Sequence, residues 1–285
     1  MGTAMILDGK KLAMDLEEKL TVRVSQLKQS TGIVPALATI LVGKDPSSVT
    51  YVKMKVNACA RVGIESIKIE LPFKTTTDEL LQTIDELNHN KSVSGILLQH
   101  PVPKHIDEQK CFNSIYLSKD VDGVNTGSFG AMAMGNQGFV SATPLAILTI
   151  LKHYDISLEG KEVVVIGRSP ILGKPVAMLL LNENATVTIC HSRTRNLPDI
   201  IRRADIVVAA IGKPAFIQAD WIKEGAVLID AGYNPGNIGD IDLVHAASKS
   251  AAYTPVPGGV GPMTILGLLT QTVQSAERMA EDGKS

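Results

Sequence analysis

The sequence has few of the residues on which specialised classes of protein depend. Only three of its 285 residues are cysteines, and Cys59, Cys111 and Cys190 lie far apart. An odd number of distant cysteines fits neither a disulfide framework nor a zinc site, so we expect no metal centre and interpret them as buried thiols in a reducing cytosol. The formal net charge of -1 gives no electrostatic reason to expect nucleic acid or an anionic membrane as a partner.

The start of the chain lacks a long hydrophobic run. Its first twenty residues, "MGTAMILDGKKLAMDLEEKL", become charged within ten positions and predict neither a signal peptide nor a membrane span. Hydrophobic residues make up 45% of the sequence and charged residues 20%, with 24 glycines and 14 prolines, a composition that excludes a disordered or collagen-like chain. We expect a globular, cytoplasmic protein, and the length favours two modest domains.

The first half of the chain alternates between helical and strand-like hydrophobic patterns. Leu12, Leu16, Leu20 and Val24 recur at helical spacing, for example, and Gly32 supplies a stop signal. The same reasoning predicts helices over residues 8–29, 46–61 and 77–89, and strands over residues 36–43 and 64–71 and at "SGILL". Such alternation predicts a parallel α/β layer with helices on both faces.

A second α/β unit is predicted after a break. Residues 120–144 are glycine-rich and have no clear period, so we interpret them as a linker and the wall of a cleft. The elements predicted beyond the break are a helix over 144–153, strands over 161–167, 185–190, 204–212 and 225–232, a helix at "VAMLLLNEN", and a last helix over 263–281.

The stretch "VVVIGRSPILGKP" has the order strand, glycine turn, helix that binds a dinucleotide phosphate at a helix N-terminus. Gly167 would form the turn and Gly173 would open the helix. The spacing departs from the G-x-G-x-x-G pattern, because Ser169 replaces the middle glycine and the last glycine comes one residue late. A simple strand-to-helix turn is the alternative interpretation.

The next predicted strand ends in "CHSRTRN", which contains His191, Ser192, Arg193 and Arg195 but no acidic residue. Enzymes that use NAD usually place an acidic residue there for the ribose hydroxyls, whereas a basic residue accommodates a 2'-phosphate. Together with Arg168 in the glycine loop, this pattern favours NADP. The alternative is that these arginines are solvated surface charges.

Candidate reacting groups lie far upstream of the glycine loop. Tyr51 and Lys55 are one helical turn apart, so their polar ends emerge on the same face. A lysine whose pKa is lowered by burial can exchange protons near neutral pH, although a surface lysine covering an aromatic ring would look the same in the sequence. Gln99 follows an apolar strand, where its amide could bond Lys55 or cap a loop.

Two further segments contain residues that can contact a ligand. In "KDVDG", an Asx turn explains at least one of Asp120 and Asp122, and the other could accept two hydrogen bonds from an amidine-like heterocycle edge. "TPVPGGVGPMT" is a rigid loop that can bring bare backbone close to a planar ligand, and a cis X-Pro bond is expected there. A structural hinge is the alternative.

In order and spacing these motifs resemble the bifunctional methylenetetrahydrofolate dehydrogenase/cyclohydrolase family. The resemblance runs from about residue 8 to residue 276 and rests on Tyr51-x-x-x-Lys55, "QHPVP", "KDVDG", "GRSPILGKP", "CHSRT", "GKPAFIQADWIKEGAVLIDAG", "GDIDL" and "TPVPGGVGPMT".

The resemblance implies an α/β fold with an N-terminal folate domain over residues 1–141, closed by a C-terminal helix over 264–285. A Rossmann-like NADP-binding domain over residues 142–263 would face it across a cleft, in a homodimer. The enzyme would oxidise 5,10-methylenetetrahydrofolate with NADP and then add water to the methenyl product to give 10-formyltetrahydrofolate.

The resemblance also implies roles for individual residues. Lys55 would be the cyclohydrolase acid/base, tuned by Gln99; Tyr51 would stack on or position the folate, and Asp122 would grip the pterin edge. The remaining implied contacts are Pro257, Gly258 and Gly259 with the folate, Gly167, Arg168, Ser169 and Gly173 with the cofactor phosphates, and His191, Ser192 and Arg193 with the 2'-phosphate region.

The sequence departs from the family pattern at His100, where leucine is usual, at Ala142, where cysteine is usual, and in "DAGYNPGN". Two rival functions stay open: a shikimate-type NADP-dependent dehydrogenase, which also pairs a lysine with an aspartate, and a non-catalytic NADP-binding sensor. The loop at 254–264 argues against the first, and the set of Tyr51, Lys55, Gln99 and Asp122 argues against the second.

Overall fold

The computed structural model describes residues 4–282, which form two compact units. Within the described residues, the six-stranded unit consists of residues 4–14 and Thr143–Thr264, and the three-stranded unit consists of Asp15–Ala142 and residues 265–282. All strand pairs in both sheets are parallel within the described part of the chain, and helices alternate with the strands. The predicted α/β fold class is therefore confirmed.

The elements of the described residues have the following bounds. The strands are β1 (Met5–Ile6), β2 (Ala36–Val42), β3 (Glu65–Leu71), β4 (Gly95–Leu98), β5 (Glu162–Ile166), β6 (Thr186–Cys190), β7 (Ile206–Ala209), β8 (Val227–Asp230) and β9 (Ala252–Tyr253). The α-helices are α1 (Gly9–Thr31), α2 (Pro46–Val62), α3 (Thr77–His89), α4 (Glu108–Ser114), α5 (Thr126–Ala133), α6 (Ala142–His153), α7 (Gly173–Asn182), α8 (Leu197–Ile201), α9 (Leu243–Ala246) and α10 (Val260–Asp282).

The three-stranded sheet has the order β3-β2-β4. Every residue of β2 is buried, as expected for the central strand of a parallel sheet covered on both faces. The helix that follows has clear local signals: the Asp45 side chain accepts the N–H of Ser48, Pro46 occupies the first turn, and Gly63 ends α2 in a left-handed conformation. These signals fix where α2 begins and ends.

The six-stranded sheet has the order β1-β9-β8-β7-β5-β6. Its inner strands β5, β7 and β8 are rich in valine and isoleucine, which suits strands buried on both faces. The edge strand β1 pairs with β9, with Met5 opposite Ala252. This pairing joins the first strand of the chain to the six-stranded unit, whereas the sequence analysis placed it in the N-terminal domain.

The structure differs from the sequence prediction mainly in its short elements. The segment 120–144, predicted as a linker without regular structure, contains α5. This helix begins directly after Asn125, whose side chain caps it by accepting the N–H of Gly127. Helices α4, α8 and α9 and strands β1 and β9 were not predicted, because their two to seven residues are too few to establish a hydrophobic period. The longer helices and strands lie where the periodicity places them.

No helix between residues 4 and 282 combines the length and the apolar character that crossing a membrane requires.

Candidate functional site

The topology of the three-stranded sheet brings two chemical groups to the same edge. From β2 the chain moves to β3 on one side and then crosses back to β4 on the other, so the carboxyl ends of β2 and β4 form a topological switch point. Gln99 follows β4 directly, and its N–H donates to the carbonyl of Ile40 on β2 at 2.9 Å. Helix α2, which follows β2, carries Lys55 to this point.

Lys55 and Gln99 are directly hydrogen-bonded. The Nζ of Lys55 donates to the Oε1 of Gln99 at 2.9 Å. The other end of the Gln99 amide is occupied, because Nε2 donates to the carbonyl of His100 at 2.8 Å. This second bond fixes the orientation of the amide, so the structure brings together both alternatives for Gln99: it caps a loop and accepts a bond from the lysine.

Burial lowers the pKa of Lys55 from its ordinary value, and the negative charge of Asp122 opposes that effect. Burial likewise raises the pKa of Asp122, against the opposing charges of Lys55 and His100. Burial of Cys59, one turn from Lys55, raises the pKa of its thiol to about 12, so this neutral thiol adds no charge near neutral pH. For both Lys55 and Asp122, the loss of hydration outweighs the attraction between their opposite charges. The pKa of the lysine therefore falls, the pKa of the aspartate rises, and the difference between them becomes smaller.

Lys55 and Asp122 are surrounded by protein atoms yet keep part of their surface exposed. Water can therefore reach the pair, while the protein supplies most of its electrostatic environment. Tyr51 lies one turn before Lys55 on α2 and is also half-buried. These properties are suited to proton exchange with a bound molecule.

The two aspartates of "KDVDG" have different surroundings. The carboxylate of Asp120 is fully buried and accepts bonds from the N–H groups of Val124 and Asn125, at 3.1 and 2.9 Å, and from the hydroxyl of Ser128 at 2.6 Å. These bonds reach four and five residues along the chain rather than the two of an Asx turn, so Asp120 holds the loop without forming the expected Asx turn. Burial raises the pKa of Asp120 to about 6. Asp122 is the one that interacts electrostatically with Lys55.

The loop over residues 254–264 lies in the six-stranded unit. Its Val256-Pro257 bond is cis, which confirms the expected cis X-Pro bond, and a second cis bond that was not predicted joins His100 to Pro101. Gly258 has a φ of +102°. A Cβ on Gly259 would lie 2.5 Å from the carbonyl oxygen of Pro255, so this backbone is too closely packed for any side chain.

The glycine loop after β5 is held by backbone-to-backbone packing. A Cβ on Gly167, which has a φ of +127°, would lie 2.2 Å from the carbonyl oxygen of Ala210, and a Cβ on Gly173 would lie 2.4 Å from the carbonyl oxygen of Gly167. A tight turn and close helix-to-strand packing are what a dinucleotide fingerprint uses its first and last glycines for. The loop therefore fits a dinucleotide despite its irregular spacing.

The other predicted residues of this loop are exposed or loosely bonded. Arg168 is exposed, and the hydroxyl oxygen of Ser169 accepts the N–H groups of Leu172 and Gly173 at 3.2 and 3.3 Å. Those distances are at the long end of the range for hydrogen bonds, so the amides of Leu172 and Gly173 at the start of α7 are only weakly satisfied. A phosphate can replace the hydroxyl as their acceptor.

The turn after β6 is stabilised by its own hydrogen bonds. The Nδ1 of His191 accepts the N–H of Arg193 at 3.1 Å, and the hydroxyl of Thr194 accepts the N–H of His191 at 2.8 Å. Ser192 and Arg193 are exposed on this turn, while His191 is half-buried. The structure thus gives His191 a supporting role within the turn and leaves Ser192 and Arg193 accessible.

A buried carboxylate beside the glycine loop was not predicted from the sequence. Asp240 is fully buried and accepts the backbone N–H groups of Ile211, Gly212 and Lys213, at 2.7, 2.9 and 2.8 Å. These residues directly follow Ala210, against which Gly167 packs. Asp240 therefore fixes the loop after β7, at the switch point between β5 and β7.

A second buried carboxylate supports the first. Asp230, at the end of β8, accepts the N–H groups of Gly232, Asp240 and Ile241, at 2.9, 2.9 and 2.8 Å. Burial raises the pKa of Asp230 to about 6. The quoted motif "GDIDL" contains Asp240, but a side chain that binds distant backbone amides leaves no periodic signal by which the sequence could reveal its role.

Comparison with known proteins gives a family for both halves of the chain. Residues 7–122 match the family model described as tetrahydrofolate dehydrogenase/cyclohydrolase, catalytic domain, and residues 141–280 match that described as tetrahydrofolate dehydrogenase/cyclohydrolase, NAD(P)-binding domain. The chain is 62% identical to the bifunctional protein FolD of Acidobacterium capsulatum, over 98% of this chain and 99% of that protein. It is also 62% identical to the FolD protein of Cellvibrio japonicus, over 97% and 99%.

Comparison with solved structures indicates the same family. The FolD methylenetetrahydrofolate dehydrogenase/cyclohydrolase of Campylobacter jejuni superposes with a TM-score of 0.95 at 45% identity, over 96% of this chain and 99% of that one. The Trypanosoma brucei enzyme, solved with NADP and an inhibitor, gives a TM-score of 0.94 at 36% identity, over 98% and 99%. Shikimate dehydrogenase of Aquifex aeolicus, at 13% identity and a TM-score of 0.54 over 86% and 97%, shares the fold alone. The chain therefore belongs to the tetrahydrofolate dehydrogenase/cyclohydrolase family.

Proposed function

We propose that this protein oxidises 5,10-methylenetetrahydrofolate to 5,10-methenyltetrahydrofolate with NADP and then hydrolyses that product to 10-formyltetrahydrofolate. The three-stranded unit would bind the folate and the six-stranded unit the NADP. Family membership over both units supports the reaction class. The observation that carries the proposal is the hydrogen bond from the Nζ of Lys55 to Gln99, beside the half-buried Asp122.

The hydrolytic half requires proton transfer, and Lys55 is placed to perform it. Water adds to the cationic methenyl carbon and loses a proton, which neutral Lys55 accepts, so that a neutral carbinol forms. As the bond from that carbon to the ring nitrogen breaks, the ammonium returns its proton to the nitrogen, and the carbinol hydroxyl loses its own proton to solvent to form the formyl group. Burial lowers the pKa of Lys55 and so makes the neutral amine accessible. Gln99 accepts a bond from the ammonium form and orients it.

The oxidative half requires no protein base, because a hydride leaves directly from the methylene carbon. NADP, when bound, supplies the acceptor for that hydride. The residues that would hold its phosphates are Gly167, Arg168, Ser169 and Gly173, and those near the 2'-phosphate are His191, Ser192 and Arg193. What these residues contribute is orientation and electrostatic attraction, which are the main requirements of hydride transfer.

We further propose contacts between the protein and the folate. The Asp122 carboxylate would accept two hydrogen bonds from the amidine-like edge of the pterin, and Tyr51 would position the ring. Pro257, Gly258 and Gly259 would lie against the ligand with bare backbone. The absence of a side chain on the two glycines suits contact with a flat ring system.

The buried network of Asp240 provides a test of the cofactor half. In Asp240→Asn, an NH₂ group faces at least one backbone N–H of residues 211–213 whichever way the amide is turned, so the loop beside Gly167 must shift. We expect the KM for NADP to rise roughly tenfold, as for the loss of one hydrogen bond to a charged group, with the KM for folate unchanged. Steady-state kinetics with each substrate varied in turn would measure both.

Asp242→Asn is the matched control for this variant. The carboxylate of Asp242 pairs with the Nδ1 of His245 at 2.7 Å on the same helix, and it does not bond the loop after β7. We expect wild-type KM values for this control. Equal KM values for NADP in both variants and the wild type would contradict the role assigned to Asp240.

We also propose that the protein is a cytoplasmic homodimer. The free, buried state of Cys59, Cys111 and Cys190 is compatible with a reducing compartment, and the dimer follows from the family resemblance alone. Sedimentation equilibrium of the purified protein should give twice the mass of the 30.4 kDa chain. A single species at the mass of one chain across the concentration range would overturn the dimer.

One assay decides between the proposed function and its rivals. Purified protein is mixed with methylenetetrahydrofolate and either NADP or NAD, and the absorbance of the reduced cofactor and of the methenyl product is followed. We expect turnover with NADP, followed by decay of the methenyl signal. Absence of folate turnover in a preparation that binds NADP would favour a sensor, and turnover of shikimate would favour the rival dehydrogenase, which the 13% identity does not support.

A further inference from the structure

Asp122 lies on irregular backbone between α4 and α5, where no helix or strand fixes its position. A carboxylate that must meet both Lys55 and a flat ligand has to be held to within about half an ångström. The carboxylate of Asp120 holds this segment locally, and further bonds tie it to the rest of the fold.

Several of these further bonds come from Gln271, which lies 149 positions along the chain from Asp122, on α10, and is 3% exposed. Its Nε2 donates to the carbonyl of Val121 at 2.7 Å, directly before Asp122. The same nitrogen donates to the carbonyl of Val140 at 2.8 Å, and its Oε1 accepts the N–H of Val140 at 2.8 Å. One amide thus joins two backbone segments to a helix.

The residue after Asp122 is tied to the same neighbouring segment. The hydroxyl of Ser141 donates to the carbonyl of Gly123 at 2.8 Å, and a Cβ on Gly123 would lie 2.3 Å from the backbone nitrogen of Ser141. Arg278 of α10 lies over the ring of Phe139, 4.8 Å from its centre. Gln271 and Arg278 therefore anchor residues 139–141 to α10, and that segment in turn holds Gly123.

The backbone next to Asp122 is consequently restrained on both sides, through Val121 by Gln271 and through Gly123 by Ser141. Packing adds a further restraint, because a Cβ on Gly95 of β4 would collide with the side chain of Val121 at 2.5 Å. Val121 is therefore pressed against the sheet and cannot move inward.

We infer that Gln271 is a positioning residue of the folate site, which holds the backbone that carries Asp122 and so sets where that carboxylate lies relative to Lys55. The inference rests on the proposed function, because the position of Asp122 matters only if this carboxylate binds the folate. Gln271 itself touches neither Lys55 nor the ligand-facing atoms of Asp122 in the bonds described above; it acts through the main chain.

The test compares Gln271→Met with the wild type. Methionine keeps the length of the side chain but removes all three hydrogen bonds, which leaves the carbonyls of Val121 and Val140 and the N–H of Val140 without their buried partner. The matched control is Ser275→Ala on the same helix, which removes buried bonds to the carbonyls of Ser94 and Ser118 instead.

We expect Gln271→Met to raise the KM for methylenetetrahydrofolate roughly ten- to hundredfold, since a displacement of about 1 Å at a site has effects of that size. The KM for NADP should stay within about twofold of the wild type. Ser275→Ala should leave both KM values unchanged. A role in stability alone would lower the melting temperature and the active fraction in both variants, but it would not separate the two KM values.

The pH profile of the cyclohydrolase step gives a second readout. The titratable groups that face the pair of Lys55 and Asp122 are His100, Asp120 and the neutral thiol of Cys59. Because Asp122 opposes the fall in the pKa of Lys55, moving this carboxylate away lowers that pKa further. The rising limb of the rate should therefore shift to lower pH in Gln271→Met and stay in place in Ser275→Ala.

The outcomes separate the inference from the proposed function. Lack of folate turnover by the wild type, or an unchanged folate KM in Asp122→Asn, would overturn the proposed function. If the wild type turns over folate and Asp122→Asn raises the folate KM, the proposed function stands. A folded Gln271→Met with wild-type folate KM and pH profile then overturns the inference. Should the methionine variant not fold, Gln271→Asn keeps an amide that is one methylene too short to reach both Val121 and Val140, and the same two readouts decide.

Discussion

Replacing Lys55 with methionine is expected to lower the cyclohydrolase rate by roughly 10²- to 10⁴-fold, the usual contribution of a positioned acid/base. The dehydrogenase rate at saturating substrate should fall by less than about tenfold, because hydride transfer uses no protein base. With NADP present, the variant should accumulate the methenyl product, which the wild type consumes. Absorbance of that product, followed over time, measures both steps in one reaction.

Lys53→Met is the matched control for this prediction. Lys53 is on the same helix and is exposed, so it tests the loss of one positive charge from α2 without touching the bond to Gln99. We expect wild-type rates for both steps. A Lys55→Met variant whose cyclohydrolase rate stays within about threefold of the wild type would remove this amine from the mechanism.

Replacing Gly167 with alanine is expected to impair cofactor binding and stability together. The new Cβ would lie 2.2 Å from the carbonyl oxygen of Ala210, and neither the end of β5 nor the loop fixed by Asp240 can move without breaking buried bonds. Overpacking of this kind costs about 1–3 kcal/mol in the free energy of unfolding. The affinity for NADP should fall roughly ten- to hundredfold, as for the loss of one or two hydrogen bonds to a charged phosphate.

Gly160→Ala is the control for Gly167→Ala, because it places alanine at a positive φ without a steric clash. Gly160 also has a positive φ, of +70°, but no atom lies within 4 Å of a Cβ built there. We expect this control to lose about 1 kcal/mol of stability, because alanine disfavours that conformation, and to bind NADP normally. Denaturant unfolding and fluorescence titration with reduced cofactor would measure the two quantities. Equal losses of affinity in both variants would contradict the importance of the close approach to Ala210.

Much of the fold could be predicted because long elements carry a repeating signal. The buried strand β2 and the amphipathic α3 each span at least seven residues, enough for their periods to be recognised. Short elements such as α5 depend on a cap at Asn125 and on tertiary packing, neither of which has a period. The pairing of Lys55 with Gln99 could be predicted for a different reason. The helical spacing around Lys55 and the apolar strand that ends before Gln99 both indicated the same edge of a sheet.

Asp240 and Gln271 were beyond the reach of sequence reasoning. Each uses a side chain to bind backbone amides or carbonyls far away in the chain, at separations of 27 to 29 residues for Asp240 and 131 to 150 for Gln271. Any residue type can supply a backbone partner, so such bonds place no recognisable pattern on the sequence around them. Only the three-dimensional arrangement reveals that these residues support the candidate site.

In the proposed function the turn after β6 lies near the 2'-phosphate of NADP, and its construction then bears on the choice between NADP and NAD. Its described hydrogen bonds join His191, Arg193 and Thr194 to one another, while Ser192 and Arg193 present their side chains to solvent. Substitution of these two exposed residues therefore leaves the scaffold intact. Evolution could therefore change the preference from NADP to NAD, and so connect the reaction to a different metabolic supply of electrons, by substituting one or two exposed residues. The folate site would not have to change.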